Sequence, residues 1–364
     1  MQIPVTAIIL ALVAALLVTP LVGKWAFKCG ALDRPGQRKI HNRVMPRMGG
    51  VAIYISFVVA VLLTREITLP VAGFLAGGFL IVLLGIIDDT RGVSPWVKLA
   101  GQVVAAGAVI PFGIKVQFLT NPFSHDLLAL GVLSIPVTVI WMVAVINAVN
   151  LVDGLDGLAG GTSCIAVLTL AAVIWIEILL NGGATQGQWD AITLALVLAA
   201  AILGFLRYNF HPAKIFLGDS GSMYLGYSVA VLAVMGLAKS ATFISVIIPV
   251  VILGIPFLDT TLAIIRRYCG NRPIFQADQG HLHHRLIAMG FSHRRAVLCL
   301  YGVNIVLALS AVVMTLITPK QAVVFLVLLS TGVLVLVNKT GIVSAGGSGH
   351  TGYLARSEKQ QRSS

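Results

Sequence analysis

The sequence predicts an all-α polytopic integral membrane protein of about eleven transmembrane helices, and three observations lead there. Of 364 residues 58% are hydrophobic and 10% charged, with a mean hydropathy of +0.96; a water-facing surface needs far more charge. The apolar residues are gathered into runs long enough to cross a bilayer. The 25 Lys and Arg lie almost entirely in the connectors on one side of those runs.

Taken in order, the runs span about 3–22, 49–64, 70–87, 97–112, 127–146, 159–180, 190–206, 222–238, 243–265, 296–317 and 322–338. The first lacks the basic start and small-residue cleavage site of a signal peptide and leads straight into Lys24, so it reads as a retained helix. The run 97–112 is the weakest, because it carries Lys98 and Gln102. Connectors then alternate between the two sides. One set (24–48, 88–96, 147–158, 207–221, 266–295 and the tail), with Lys98, holds 21 of the 25 Lys and Arg; the other holds Arg65, Lys115, Lys239 and Lys320. That bias predicts the N-terminus outside, the C-terminus cytoplasmic and a plasma (inner) membrane location with the polar loops inside.

The net charge of +12 is therefore topological, and no nucleic-acid partner is expected. Residues 1–338 read as one transmembrane domain with cytoplasmic loops, and 339–364, rich in Gly and Ser, as a disordered cytoplasmic tail. Cys29, Cys164, Cys269 and Cys299 are far apart and should be free thiols.

Chemistry concentrates where the runs end. The stretch Asn147-Ala-Val-Asn150-Leu-Val-Asp153-Gly-Leu-Asp156-Gly157 places an amide or carboxylate at every third residue. Steps of three walk backwards around an α-helix, so the four cannot share a face, and the helix should tighten or end near Gly154. Asp88 and Asp89 close the third run, and Asp219 sits in Phe216-Leu-Gly-Asp-Ser-Gly-Ser222 ahead of the eighth. Asp88 and Asp89, adjacent on a helix, point about 100° apart, which argues against one shared task.

These five carboxylates, drawn together at a low-dielectric boundary, would repel and hold protons unless cations neutralised them. Mg²⁺ suits carboxylate oxygens. Basic groups stand in Arg38-Lys39-Ile-His41-Asn-Arg43-Val-Met-Pro-Arg47 and Gly280-His281-Leu-His283-His284-Arg285. Carboxylate, Mg²⁺ and Arg or His together are the equipment of phosphoryl transfer, with a pyrophosphate as ligand. Three His within four residues are poorly spaced for structural zinc. Asp259, one to two turns before Arg266 and Arg267, suits an ion pair as well as a catalytic role, and His125, His211 and His293 carry no assignment. An ion-coupled transporter would place its acids near the bilayer midplane; here nearly all lie at one end.

Five segments resemble a known family: Pro46-Arg-Met-Gly-Gly50, Gly85-Ile-Ile-Asp-Asp89, Asn147 to Ala159, Phe216-Leu-Gly-Asp219-Ser-Gly221 and Asp278-Gln-Gly-His281-Leu-His-His-Arg285-Leu286. In order, and covering about 30–295 of the chain, they resemble the polyprenyl-phosphate N-acetylhexosamine-1-phosphate transferases, in their bacterial WecA and TagO branch. The resemblance implies that undecaprenyl phosphate attacks the β-phosphate of UDP-GlcNAc, giving undecaprenyl-pyrophosphoryl-GlcNAc and UMP. This would be the first membrane step of a cell-envelope glycopolymer of wall teichoic acid or O-antigen type. It implies Mg²⁺ as cofactor, with Mn²⁺ as a substitute, the lipid bilayer as surroundings, and a homodimer by analogy with relatives.

By motif, Asp219 is implied as principal metal ligand, with Asp89 as a second. Asp88 and Asp89 would handle the lipid phosphate, and Asn150, Asp153 and Asp156 the nucleotide sugar and its water. His281, His283, His284 and Arg285 would bind sugar or pyrophosphate, and Arg43 or Arg47 the diphosphate. Relatives that use UDP-MurNAc-pentapeptide carry three consecutive histidines where this chain has His281-Leu-His-His-Arg285, which favours UDP-GlcNAc over that donor or another UDP-HexNAc.

Overall fold

The computed structural model describes residues 4–34, 44–120, 127–237, 243–269 and 282–339. Helix α1 (Val5–Cys29) is followed by a short antiparallel pair, β1 (Leu32–Asp33) with β2 (Met45–Pro46), and by α2 (Gly49–Thr64), α3 (Leu69–Arg91) and α4 (Pro95–Ala108). A second antiparallel pair, β3 (Phe118–Thr120) with β4 (Leu127–Ala129), precedes α5 (Ser134–Val152), α6 (Leu158–Asn181), α7 (Gln186–Asn209) and α8 (Asp219–Leu237). The described chain continues with α9 (Phe243–Ile252), α10 (Gly254–Cys269), α11 (Leu282–Ala288), α12 (His293–Leu316) and α13 (Pro319–Lys339).

Among the described residues eight helical stretches are long and apolar enough to cross a membrane: Val5–Cys29, Leu69–Arg91, Pro95–Phe112, Gly131–Val152, Leu158–Asn181, Gln186–Asn209, Asp219–Leu237 and His293–Leu316. Gly49–Thr64, Gly254–Ile264 and Pro319–Val333 are apolar but shorter. Two expected runs are corrected. The run 127–146 opens as strand β4, so its helix starts only at Ser134 and reaches on to Val152. The run 243–265 is broken at Leu253 between α9 and α10, because Pro256 has no N–H to offer the carbonyl of Ile252.

Local chemistry sets the helix starts. Thr68 accepts the Val71 N–H ahead of Pro70, and Ser94 accepts the Val97 N–H ahead of Pro95. Thr185 and Gln188 form a reciprocal capping box at α7.

Helix α8 is the axis of the bundle and is buried along almost its whole length. Its sequence is rich in Gly, Ser and Ala, and small residues let neighbouring backbones close in where lipid offers no competing hydrophobic drive. A Cβ on Gly50 of α2 would collide with Gly221, one on Gly85 of α3 with Ser220, and one on Gly226 of α8 with Ile146 of α5. These three crossings gather the ends of α2, α3 and α5 around the N-terminus of α8, and that gathering makes the site.

Candidate phosphate and metal site

Two of the sequence motifs hydrogen-bond to each other. Phe216 donates its N–H to Pro46 O at 2.9 Å, and Gly49 and Gly50 donate theirs to Phe216 O and Leu217 O at 3.0 Å each. Met48 between them takes a left-handed backbone, φ 81, an uncommon state for a residue with a side chain. The pairing brings Arg47 to Asp219, with Nη2 3.8 Å from Oδ2.

Asp88 and Asp89 part company, as their angular separation requires. Asp89 turns inward with a fully buried side chain. Its Oδ1 accepts the Asp219 N–H at 2.9 Å, and its Oδ2 accepts the N–H and hydroxyl of Ser220 at 3.1 and 2.8 Å. The carboxylate thus caps the first turn of α8 from a neighbouring helix, where orphan N–H groups and the helix dipole both favour an anion. Asp89, expected as a metal ligand and one of a reacting pair, has both oxygens committed to this cap. Asp88 faces outward, accepting the Val93 N–H at 2.9 Å and pairing with Lys98 Nζ at 2.7 Å.

Lys98 is the bridge. The same ammonium hydrogen-bonds Asp219 Oδ1, which also accepts from Asn150 Nδ2 at 2.8 Å. Asn150 in turn donates to Ser222 Oγ at 2.7 Å. One turn earlier, Asn147 donates to the fully buried Gln102 at 2.6 Å and joins α5 to α4.

Helix α5 ends at Val152, two residues before Gly154, where the three-residue spacing predicts tightening or an end, and Asp153 leaves it with φ −73, ψ 69. No described residue donates a hydrogen bond to the Asp153 carboxylate. Burial first, and the charge of Asp219 next, push its carboxyl up to about 7, with Arg47 pulling the other way. For Arg47 burial opposes the charge, but Asp89 and Asp219 outweigh it and raise its pKa.

Asp156 lies apart from this group. Its Oδ2 pairs with His211 Nδ1 at 2.8 Å and accepts the Ala213 N–H at 3.1 Å. His283 is buried against Gly154, where any Cβ would strike its ring, and it packs on His284 with centroids 4.3 Å apart. Arg285 is on the same short helix, α11. Arg43 and His281 lie outside the described residues, as does the tail from 340 onward. Buried Asp259 accepts the Leu282 N–H at 3.0 Å and so ties α10 to the start of α11. Of the cysteines, Cys29, Cys164 and Cys299 are free.

The donor set fits a hard divalent cation. Among the described residues Asp219 Oδ2 meets only Arg47, at 3.8 Å, and Asp153 keeps its lone pairs unused beside it. Asp88 stands across the same Lys98. Oxygen ligands with room for water and phosphate are what Mg²⁺ takes.

Sequence reasoning missed Lys98, which it had read as an orientation charge, and Gln102, His211 and His293. For Lys98 a signal existed: an ammonium inside an apolar run is costly and seeks acidic partners.

The glycosyl transferase family 4 profile matches residues 71–237. The chain is 41% identical over 341 residues, 93% of each chain, to a probable undecaprenyl-phosphate N-acetylglucosaminyl 1-phosphate transferase of Bacillus subtilis (strain 168). It is 35% identical to a decaprenyl-phosphate N-acetylglucosaminephosphotransferase of Mycolicibacterium smegmatis, covering 82% of this chain and 80% of that one. It is 27% identical to an undecaprenyl-phosphate alpha-N-acetylglucosaminyl 1-phosphate transferase of Escherichia coli (strain K12), covering 75% and 73%.

Proposed function

The chain belongs to the polyprenyl-phosphate N-acetylhexosamine-1-phosphate transferases, and on that premise we propose that it moves GlcNAc-1-phosphate from UDP-GlcNAc to undecaprenyl phosphate. The observation that carries the reading is the meeting of Asp88, Asp153 and Asp219 with Lys98 and Arg47 at one end of the bundle. A phosphate oxygen of the lipid attacks the β-phosphorus of the donor. The bond to the UMP oxygen breaks, a new pyrophosphate bond forms, and UMP leaves.

The side chains divide the work. Asp219, with Asp153 and Asp88 in reach, would hold Mg²⁺, which when bound supplies charge neutralisation at the diphosphate. Arg47, permanently charged and part-exposed, clamps the diphosphate beside Asp219. Lys98 holds Asp88 and Asp219 together, and its ammonium is placed to meet the lipid phosphate. Ile87, Trp96 and Val97, which flank Asp88 and Lys98, are exposed and apolar, so this side suits an incoming polyprenyl chain. The phosphate monoester is largely ionised near neutral pH, so Asp88 acts through positioning more than through proton removal. His283, His284 and Arg285, together with His281 and Arg43, take the nucleotide sugar and its diphosphate.

The charge bias of the connectors supports eleven crossings, with this end of the bundle cytoplasmic in the plasma membrane. The grouping of acids at that end, rather than at the midplane, favours the transferase over a transporter. The test is direct. Purified protein with radiolabelled UDP-GlcNAc, undecaprenyl phosphate and Mg²⁺ should give butanol-extractable label that EDTA abolishes. Label that stays aqueous under all conditions would refute the reading, and UDP-GalNAc or UDP-MurNAc-pentapeptide in the same assay fixes the donor.

A further inference from the structure

Beside the acidic pocket lies a second cluster, Asp156, His211 and His293, whose ligand-type atoms all fall within 4.8 Å of one another. Its hydrogen bonds explain the closeness without a metal. His211 and Ala213 share Asp156 Oδ2, and the Asp156 backbone N–H donates to His293 Nε2 at 2.9 Å. The two imidazoles stack, with centroids 4.2 Å apart and planes 17° from parallel. A backbone N–H can only donate, so His293 Nε2 is an acceptor, and the ring is neutral with its proton on Nδ1.

The same short loop is held at its next residue as well. Gly157 donates its N–H to Asn209 Oδ1 at 3.1 Å, and its carbonyl accepts the Tyr301 hydroxyl. Thus α7, the turn after it and α12 all grip the 156–157 end. The other end carries Asp153 into the pocket and Gly154 under His283. His293 stands 137 residues from Asp156 in the chain, and among the described residues it is linked to the pocket through this loop.

We propose that His293 is a positioning residue for the transfer: by accepting the Asp156 N–H it fixes the loop that aims Asp153 at the metal and diphosphate. On this proposal, which rests on the transferase reading, the Asp156 backbone N–H is the anchor of the loop. Small misplacements of reacting groups cost about 100-fold in rate, and a loop of five residues tied at one end is open to them.

The test compares wild type, His293→Gln and His293→Leu, because a glutamine amide oxygen can accept the Asp156 N–H and leucine cannot. The leucine variant should lose about 30-fold or more in kcat, with KM for UDP-GlcNAc and for undecaprenyl phosphate near wild type. The glutamine variant should recover most of it. Deuterium uptake by the peptide spanning 150–158 should rise in the leucine variant and not in the glutamine variant. Tyr301→Phe, which keeps the ring and removes only the bond to Gly157, should show the same pattern more weakly and serves if the leucine variant fails to fold. Wild-type kcat in the leucine and phenylalanine variants, equal losses in the glutamine and leucine variants, or a change confined to KM would overturn the proposal. Absence of transfer in the wild type would refute the transferase reading, while the exchange measurement would still report on the tether.

Discussion

Asp190 and Asp219 are both acids near the start of a buried helix, and they sit at opposite ends of the bundle: Asp190 lies in the second turn of α7 and Asp219 follows that helix's far end at Asn209, about 29 Å of helix away. Asp190 is buried and satisfied by neutral donors: Thr68 Oγ1 reaches its Oδ2 at 2.8 Å and Gln186 Nε2 its Oδ1 at 2.9 Å. Asp219 is held by Lys98, Asn150 and Arg47, keeps its side chain 21% exposed, and faces Asp153. Both acids cost desolvation. The first is offset by hydrogen bonds that join α7 to α3, whereas the second draws two cations and still has lone pairs to give. Burial alone therefore does not mark a functional acid; incomplete satisfaction among other charges does.

The largest expected contrast follows. Asp219→Asn should lower turnover by about 100-fold or more, the scale for losing one preorganised electrostatic partner, while Asp190→Asn leaves turnover near wild type. Equal losses in the radiolabel assay would erase the distinction between the two ends. Lys98→Met should cost about tenfold or more in turnover. It should also lower the melting temperature in EDTA and enlarge the gain on adding Mg²⁺, because Asp88 and Asp219 would lose their shared counter-charge.

Asp153 sharpens the comparison through pH. Its carboxyl titrates at about 7 in the folded chain against an ordinary 3.8, so between those values the folded state holds the extra proton. Stability should fall as pH rises through that window. In EDTA the wild type should therefore lose more melting temperature between about pH 5.5 and pH 8 than Asp153→Asn does, and Mg²⁺ should reduce the difference. Parallel profiles would show that Asp153 is not charged at a cost. The smallest effect on turnover belongs to the far end: Thr68→Val, which removes both the α3 cap and the bond to Asp190, should cost about 2 kcal/mol or more of stability and leave turnover unchanged, and a large activity loss would mean that this end is not inert scaffold.

Much of this was legible in the chain. The carboxylates of the pocket and Arg47 stood out because charge is scarce in an apolar sequence, whereas Lys98 was hidden among the orientation charges, and the spacing from Asn147 to Asp156 announced the end of α5. The separation of Asp88 from Asp89 followed from helix geometry, but which one turns inward depends on where α8 lies. Strand β4 was hidden because Leu127, Leu128 and Ala129 are as apolar as a spanning helix. His211 and His293 gave no signal, since their meaning lies in partners 55 and 137 residues away in sequence.

The central claim is that Asp219 and its neighbours form a divalent-cation site, and Mn²⁺ binding followed by electron paramagnetic resonance tests it without relying on turnover. Wild type and Asp190→Asn should each bind Mn²⁺ in a way that Mg²⁺ competes away, and Asp219→Asn should bind it far more weakly. Undiminished Mn²⁺ binding by Asp219→Asn would place the cation elsewhere.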